Sequence, residues 1–195
     1  MKVCGSVCKL LLLNLLMIPL LSSCGLILIN DIGYRSLTSE QRSRVVKCDV
    51  PIDSLKNDGL IYLVSSEQMQ DYLNRQSKVL VYEYRSYCSS EQCVSVPYAE
   101  QLCKDMGVKL CIINVSYYHF QLLDGIQTPI LAPDFNHYKT MNDGKLPERF
   151  FEELTHKTRK ERGYNIFYVF KKGRYMGTFD TIHEALGLKR PLSKK

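Results

Sequence analysis

Cys88 and Cys93 are the residues of this chain best suited to chemistry. They frame the segment Cys88-Ser-Ser-Glu-Gln-Cys93, which separates a Val- and Tyr-rich run from an amphipathic one. Two thiols at such a junction can carry thiol–disulfide exchange, one attacking as thiolate and the other resolving the mixed disulfide. A helix beginning at the cysteines would help, because the positive end of its dipole favours thiolate over thiol. A continuous helix, however, sets the two Cα atoms about 7.5 Å apart, beyond the ~6.8 Å usual limit for a disulfide. A Cys88–Cys93 bond therefore requires Cys88 in the loop ahead of the helix, or an unwound first turn.

The other cysteines invite simpler roles. Cys103 falls on an apolar helical stripe and Cys111 inside a strand-like run, which makes each a small buried hydrophobe. Cys48 can be free or paired; its surroundings do not decide. From Cys48 onward five thiols occur, an odd number, so at least one lacks a partner within the chain. There is no C-x-x-C knuckle, and His119, His137, His156 and His183 are not paired at ligand spacing, so no metal or other cofactor is expected. A P-loop, a G-x-S-x-G elbow and a dinucleotide fingerprint are also missing.

The elements that must position the pair follow from periodicity. Residues 78–84 read as a buried strand, and downstream Val94, Tyr98 and Leu102 share a helical stripe with Ala99, Cys103 and Met106 beside it. Residues 61–64 read as a short strand, Ser65 and Ser66 as caps of a helix to about residue 75, and 109–115 as a further strand. This alternation predicts βαβ units and an α/β fold, a central mixed sheet flanked by helices. Residues 117–123 are a candidate helix and 124–145 a long insertion. Pro147 suits the first turn of a helix with Phe150, Phe151 and Leu154 inward; Lys157, Arg159, Lys160 and Arg162 suit its C-terminal end. Residues 166–170 and 174–179 form a hairpin, and 181–186 a last helix.

The N-terminal residues 1–25 combine Lys2 and Lys9, an apolar core from about residue 10 to 21 and small residues after it, the pattern of a signal peptide. Leu21-Ser22-Ser23-Cys24 resembles the lipobox of bacterial lipoproteins. That resemblance implies cleavage before Cys24 and acylation of Cys24, as by palmitate, anchoring the protein to a membrane. The competing expectation is one uncleaved membrane helix over residues 10–29, which Ser22 to Gly25 interrupt. Either way the rest of the chain is tethered outside the cytoplasm, in the cell envelope. The expected organisation is a lipoprotein signal peptide (1–23), a lipid anchor and tether with some local structure (24–59) and a folded domain (60–195). The net charge of +6 falls by two, to +4, when Lys2 and Lys9 leave with the signal peptide. So modest a surplus, with no basic stripe, does not point to nucleic acid.

The order of strands and helices over 60–188, with VLVYEYRSYC and later NIFYVFKKGRYMGTF, resembles the thioredoxin fold. Pro97 resembles the proline that kinks the active-site helix of that family. The chain departs from the family in having Cys-x4-Cys for Cys-x-x-Cys, Tyr82 in the place of the buried acid, and Asn165 where a cis-proline would face the dithiol. Thr128-Pro129 resembles the cis-proline motif but lies far ahead of the hairpin. CSSEQC is also similar to the segment of Q-type peroxiredoxins that holds the peroxide-reducing cysteine and its resolving partner. In that family threonine and proline precede the reactive cysteine where this chain has Arg85 and Val81.

Three functions are compatible with these residues. The first is thiol–disulfide exchange by a membrane-anchored thioredoxin-like lipoprotein, acting through Cys88 and Cys93 on thiols or disulfides of envelope proteins. The second is a redox-inactive thioredoxin-like interaction or structural module. The third is a peroxidase of the peroxiredoxin type, with Arg85 available to lower a nearby thiol's pKa.

Overall fold

Caps and β-branched runs set the local structure. In the computed structural model, which describes residues 31–189 except 89, 91, 92, 119 and 121–124, helix α1 (Ser39–Ser43) opens with a capping box between Thr38 and Gln41 and is followed by strand β1 (Val45–Lys47). Strand β2 (Ile61–Val64) precedes helix α2 (Ser66–Arg75), which a second capping box, Ser65 with Gln68, begins. Strand β3 (Val79–Tyr84) leads through the cysteines to helix α3 (Val96–Asp105) and strand β4 (Lys109–Asn114). Strand β5 (Ile130–Pro133), the short helix α4 (Phe135–Tyr138), helix α5 (Lys145–Thr155) and the single turn α6 (Arg159–Arg162) come next. Strands β6 (Phe167–Lys171) and β7 (Arg174–Phe179) form a hairpin, and α7 (Ile182–Leu186) follows it.

The strands make one mixed sheet in the order β1-β2-β5-β4-β3-β6-β7. The first five in that order run parallel; β6 is antiparallel to β3, and β7 to β6. Interior strands covered on both faces must be apolar on both, and Leu80, Val81, Ile112, Ile113 and Leu131 are all fully buried. Lys172 and Gly173, both at positive φ, form the two-residue turn whose twist matches the β6–β7 strands. The α/β fold with a mixed sheet and flanking helices is therefore the one the alternation of the sequence predicts.

Two stretches that look peripheral in the sequence belong to the core. Residues 124–145, expected as an insertion, supply β5, which separates β2 from β4. All four of its residues are buried, but so short an apolar run shows no period by which to recognise it. The stretch expected as a tether also packs on the sheet from residue 31 onward. Ile32, Leu37, Cys48 and Ile52 are buried there, and β1 pairs with β2.

Two local expectations change as well. His156, in the left-handed conformation, ends α5, and a capping box between Thr158 and Glu161 starts α6. Arg159 and Arg162 are thereby on a separate turn instead of at the end of α5. Tyr117 and Tyr118 are not helical, and most of the candidate helix 117–123 lies outside the described residues. So do the signal peptide and Cys24. Among the described residues no helix is long and apolar enough to cross a membrane.

Leu131→Ala opens a cavity in a fully enclosed strand and should cost about 2–5 kcal/mol, read as a lower urea midpoint at unchanged slope. A loss of under about 0.5 kcal/mol, typical of surface sites, would contradict the placement of β5.

Candidate functional site

The chain leaves β3 at Tyr84 and turns at once, with the Cys88 N–H donating to the Arg85 carbonyl at 3.0 Å. Cys88 and Cys93 are joined in a disulfide with their Cα atoms 6.0 Å apart, and both are half-buried. Helix α3 starts only at Val96, with Pro97 in its first turn. This corrects the expectation that the first turn of the helix presents the thiols. With both cysteines in the loop their Cα spacing falls in the bonding range, which the helical rise would exceed. Pro97 accordingly initiates the helix, where its missing N–H costs nothing, and does not kink it. The buried face of α3 is Val96, Ala99 and Cys103, while Tyr98 and Met106 are exposed, so the helix is rotated from the expected stripe.

Among the described residues, Tyr82, Ser90 and Ser86 make contacts that hold the disulfide loop. The buried Tyr82 hydroxyl donates to the Val94 carbonyl at 2.9 Å, next to Cys93, and burial pushes this phenol's pKa up. The Ser90 hydroxyl lies 3.5 Å from the Cys88 sulfur and donates to the Cys93 sulfur at 3.6 Å. When the bond opens, that hydroxyl can stabilise a thiolate on either sulfur. The Ser86 hydroxyl donates to the Tyr118 carbonyl. Tyr118 in turn is seated on Gly33, whose φ of 84° and closeness to the Tyr118 backbone nitrogen, 2.8 Å from where a Cβ would stand, leave no room for a side chain.

On the opposite face of β3 the next residue, Glu83, is 1% exposed and surrounded by cations. Arg85 Nη2 lies 2.9 Å from one carboxylate oxygen, and Arg159 Nη1 lies 3.6 Å from the other. The Tyr168 hydroxyl donates to Glu83 at 2.8 Å and accepts from Arg162 Nη1 at 2.8 Å. Tyr168 stacks on Phe151 at 4.3 Å. Burial, then the Glu83 charge, raises the Tyr168 pKa. Burial alone would lower the Arg85 pKa, but Glu83 and the Tyr87 hydroxyl outweigh it, so Arg85 stands above its ordinary value. Arg85 is thus engaged by Glu83 and Tyr87 and is not free to serve the thiols. Sequence reasoning missed this cluster; its only signal was an acid inside a Val/Tyr strand with a basic run far downstream.

The other cysteines among the described residues are enclosed. Cys103 and Cys111 are core residues as expected, and burial raises both thiols, Cys103 from 9.0 to about 12. Cys48 is buried too, its S–H donating to the Val50 carbonyl at 3.2 Å, and burial raises its pKa. Thr128-Pro129 leads into β5 at the end of the sheet away from the disulfide, held by the Glu100 carboxylate at 2.6–2.7 Å from the Thr128 hydroxyl and N–H. Sequence spacing suggested no metal site. The fold does bring one ligand atom each of Glu67, His137 and Glu153 within 4.8 Å of one another, all three exposed, and Ser66 and Tyr138 already donate to Glu153.

Set against protein-family models, curated proteins and solved structures, the chain matches none of them.

The enclosed thiols make stability fall at high pH. The folded pKa of Cys103 lies above its ordinary value of 9.0, so the unfolded chain ionises first. The Cys103 contribution is complete below about pH 9 and is lost progressively as pH rises toward 12. In reduced native protein at about pH 8, iodoacetamide should alkylate Cys88 and Cys93 and spare Cys48, Cys103 and Cys111, as mapped by peptide mass spectrometry. Rapid alkylation of Cys103 under those conditions would contradict its enclosure.

Proposed function

We propose that this protein is a lipid-anchored thiol–disulfide oxidoreductase of the bacterial cell envelope, built on a thioredoxin-like domain. The observation that carries this is the contrast among its cysteines. Cys88 and Cys93 form a half-exposed disulfide in a loop at the end of an interior strand, while Cys48, Cys103 and Cys111 are shut in the core. A thioredoxin-like plan is supported by the β3–α3–β4 unit with the cysteines at its turn, the β6–β7 hairpin antiparallel to β3 and the helix after it. The β5 strand between β2 and β4, and Asn165 ahead of β6, are departures from it. Anchoring through Cys24 is supported by the lipobox-like Leu21-Ser22-Ser23-Cys24 behind an apolar run. An envelope location suits a solvent-accessible disulfide, which the cytosol would keep reduced.

In the reducing direction the Cys88 thiolate attacks one sulfur of a substrate disulfide, forming a mixed disulfide and expelling a substrate thiolate. The Cys93 thiolate then attacks the Cys88 sulfur, closing the Cys88–Cys93 bond and releasing the second substrate thiolate. Two electrons pass from the dithiol to the substrate; in the oxidising direction every step is reversed. The peroxidase alternative is less favoured, because the residues standing where a peroxide shell would be are the buried Val81 and the Glu83-bound Arg85.

The test is to trap the intermediate. Full-length Cys93→Ser, in mild detergent, should form a dithiothreitol-reversible adduct at Cys88 with a peptide disulfide, and Cys88→Ser should form none at Cys93. No adduct at Cys88 would leave Cys88–Cys93 as a fixed bridge in an interaction or structural module.

A further inference from the structure

Among the described residues, the surface beside the disulfide carries more arginine than carboxylate. Arg85, Arg159 and, through Tyr168, Arg162 share a single carboxylate, Glu83. Arg162 is 4% exposed, and its Nη2 has no hydrogen-bond partner among the described residues. Glu161, on the same turn, is taken up by Thr158 and Lys157. Arg85 and Arg159 each keep 23% of the side chain exposed.

Aromatic rings flank these guanidiniums on both sides. Arg159 lies 4.7 Å over the ring of Tyr164, which is 79% exposed. Arg85 Nη1 donates to the Tyr87 hydroxyl at 3.1 Å, and the Tyr87 ring meets that of Tyr118 at 6.4 Å. Tyr164 and Arg159 on one side, and Arg85, Tyr87 and Tyr118 on the other, are thus linked in a row through the buried Glu83, and Tyr87 adjoins Cys88 in the chain.

We propose that this row is a docking surface for an acidic segment of a partner polypeptide. Its carboxylates pair with Arg159, and its side chains lie on the tyrosine rings. Guanidinium forks hold carboxylates through two parallel N–H···O bonds, and Tyr and Arg carry much of the binding energy at protein interfaces. A polypeptide is favoured over a lipid surface because the neighbouring disulfide exchanges with protein thiols. The choice of polypeptide thus rests on the function proposed above, whereas the charge and the rings stand without it.

The probe is a fluorescein-labelled peptide of alternating glutamate and tyrosine, titrated with the full-length protein in non-ionic detergent and followed by fluorescence polarisation. The same peptide with lysine for glutamate is run beside it. The glutamate peptide should bind, the lysine peptide should not, and binding should weaken as salt rises from about 50 to about 300 mM. Arg159→Gln and Tyr164→Ser should each weaken binding about tenfold, and Arg44→Gln, at the C-cap of α1, should leave it unchanged. The side chain of Tyr164 is so exposed that Tyr164→Ser keeps the test decisive if Arg159→Gln fails to fold. Absence of binding, equal binding of the two peptides, or displacement of the glutamate peptide by a lower concentration of the water-soluble lipid headgroup glycerophosphoglycerol would overturn the proposal. Exchange of wild-type protein with hydroxyethyl disulfide, small and neutral, is measured in parallel. Exchange without peptide binding rejects the docking surface and keeps the oxidoreductase; peptide binding without exchange does the reverse.

Discussion

Glu83 imposes the constraint on which the architecture around the cysteines depends. A carboxylate inside an interior strand can be kept there only if cations and hydrogen-bond donors replace the water it has lost. Arg85, Arg159 and Tyr168 do so directly, and Arg162 supports Tyr168 from behind. These residues come from the exit of β3, from α6 and from β6, so one buried group joins three parts of the chain. The consequence is a fixed point from which the disulfide loop departs. On the other face Tyr82 performs the neutral counterpart of this role, tying Val94 beside Cys93 to the same strand. Adjacent residues of a strand face opposite sides of the sheet, so β3 holds the loop's far end through Tyr82 on one face and its start through Glu83 and Arg85 on the other.

That scaffold decides what the thiols can and cannot draw on. The positive end of α3 begins beyond Cys93, and the Arg85 charge is directed to Glu83, so neither of the usual means of acidifying a cysteine acts at full strength on Cys88. Among the described residues of the loop, the Ser90 hydroxyl is within reach of both sulfurs and is a polar group available to them instead. Such a loop on a rigid frame is where exchange chemistry is commonly placed. Its redox poise is set by how much the fold favours the closed over the open form.

Much of the fold was legible from sequence because long, periodic elements announce themselves. The β3 strand, the Ser65-capped α2, the inward Phe150, Phe151 and Leu154 of α5 and the β6–β7 hairpin all stand where the pattern puts them. The cysteine pair was legible as a candidate site for the same reason, since it falls between two such elements. The start of α3 was not, because Val94 and Tyr98 fit a helical stripe as well as the true face of Val96, Ala99 and Cys103 does. The β5 strand, four residues flanked by proline, and the packing of residues 31–59 depend on long-range contacts that no local pattern records. The partners of Glu83 were not legible either, because Arg159, Arg162 and Tyr168 lie far from it in the chain and no local pattern joins them.

The reduction potential of the Cys88–Cys93 pair in the full-length protein tests the central claim most directly. It is obtained by alkylating the two thiols after equilibration in glutathione or dithiothreitol buffers of defined potential and reading the modified peptides by mass. A reversible two-electron couple above about −300 mV is predicted, since structural disulfides typically lie below that value. A bond that stays closed at every accessible potential, or one that never forms, would contradict exchange at this site.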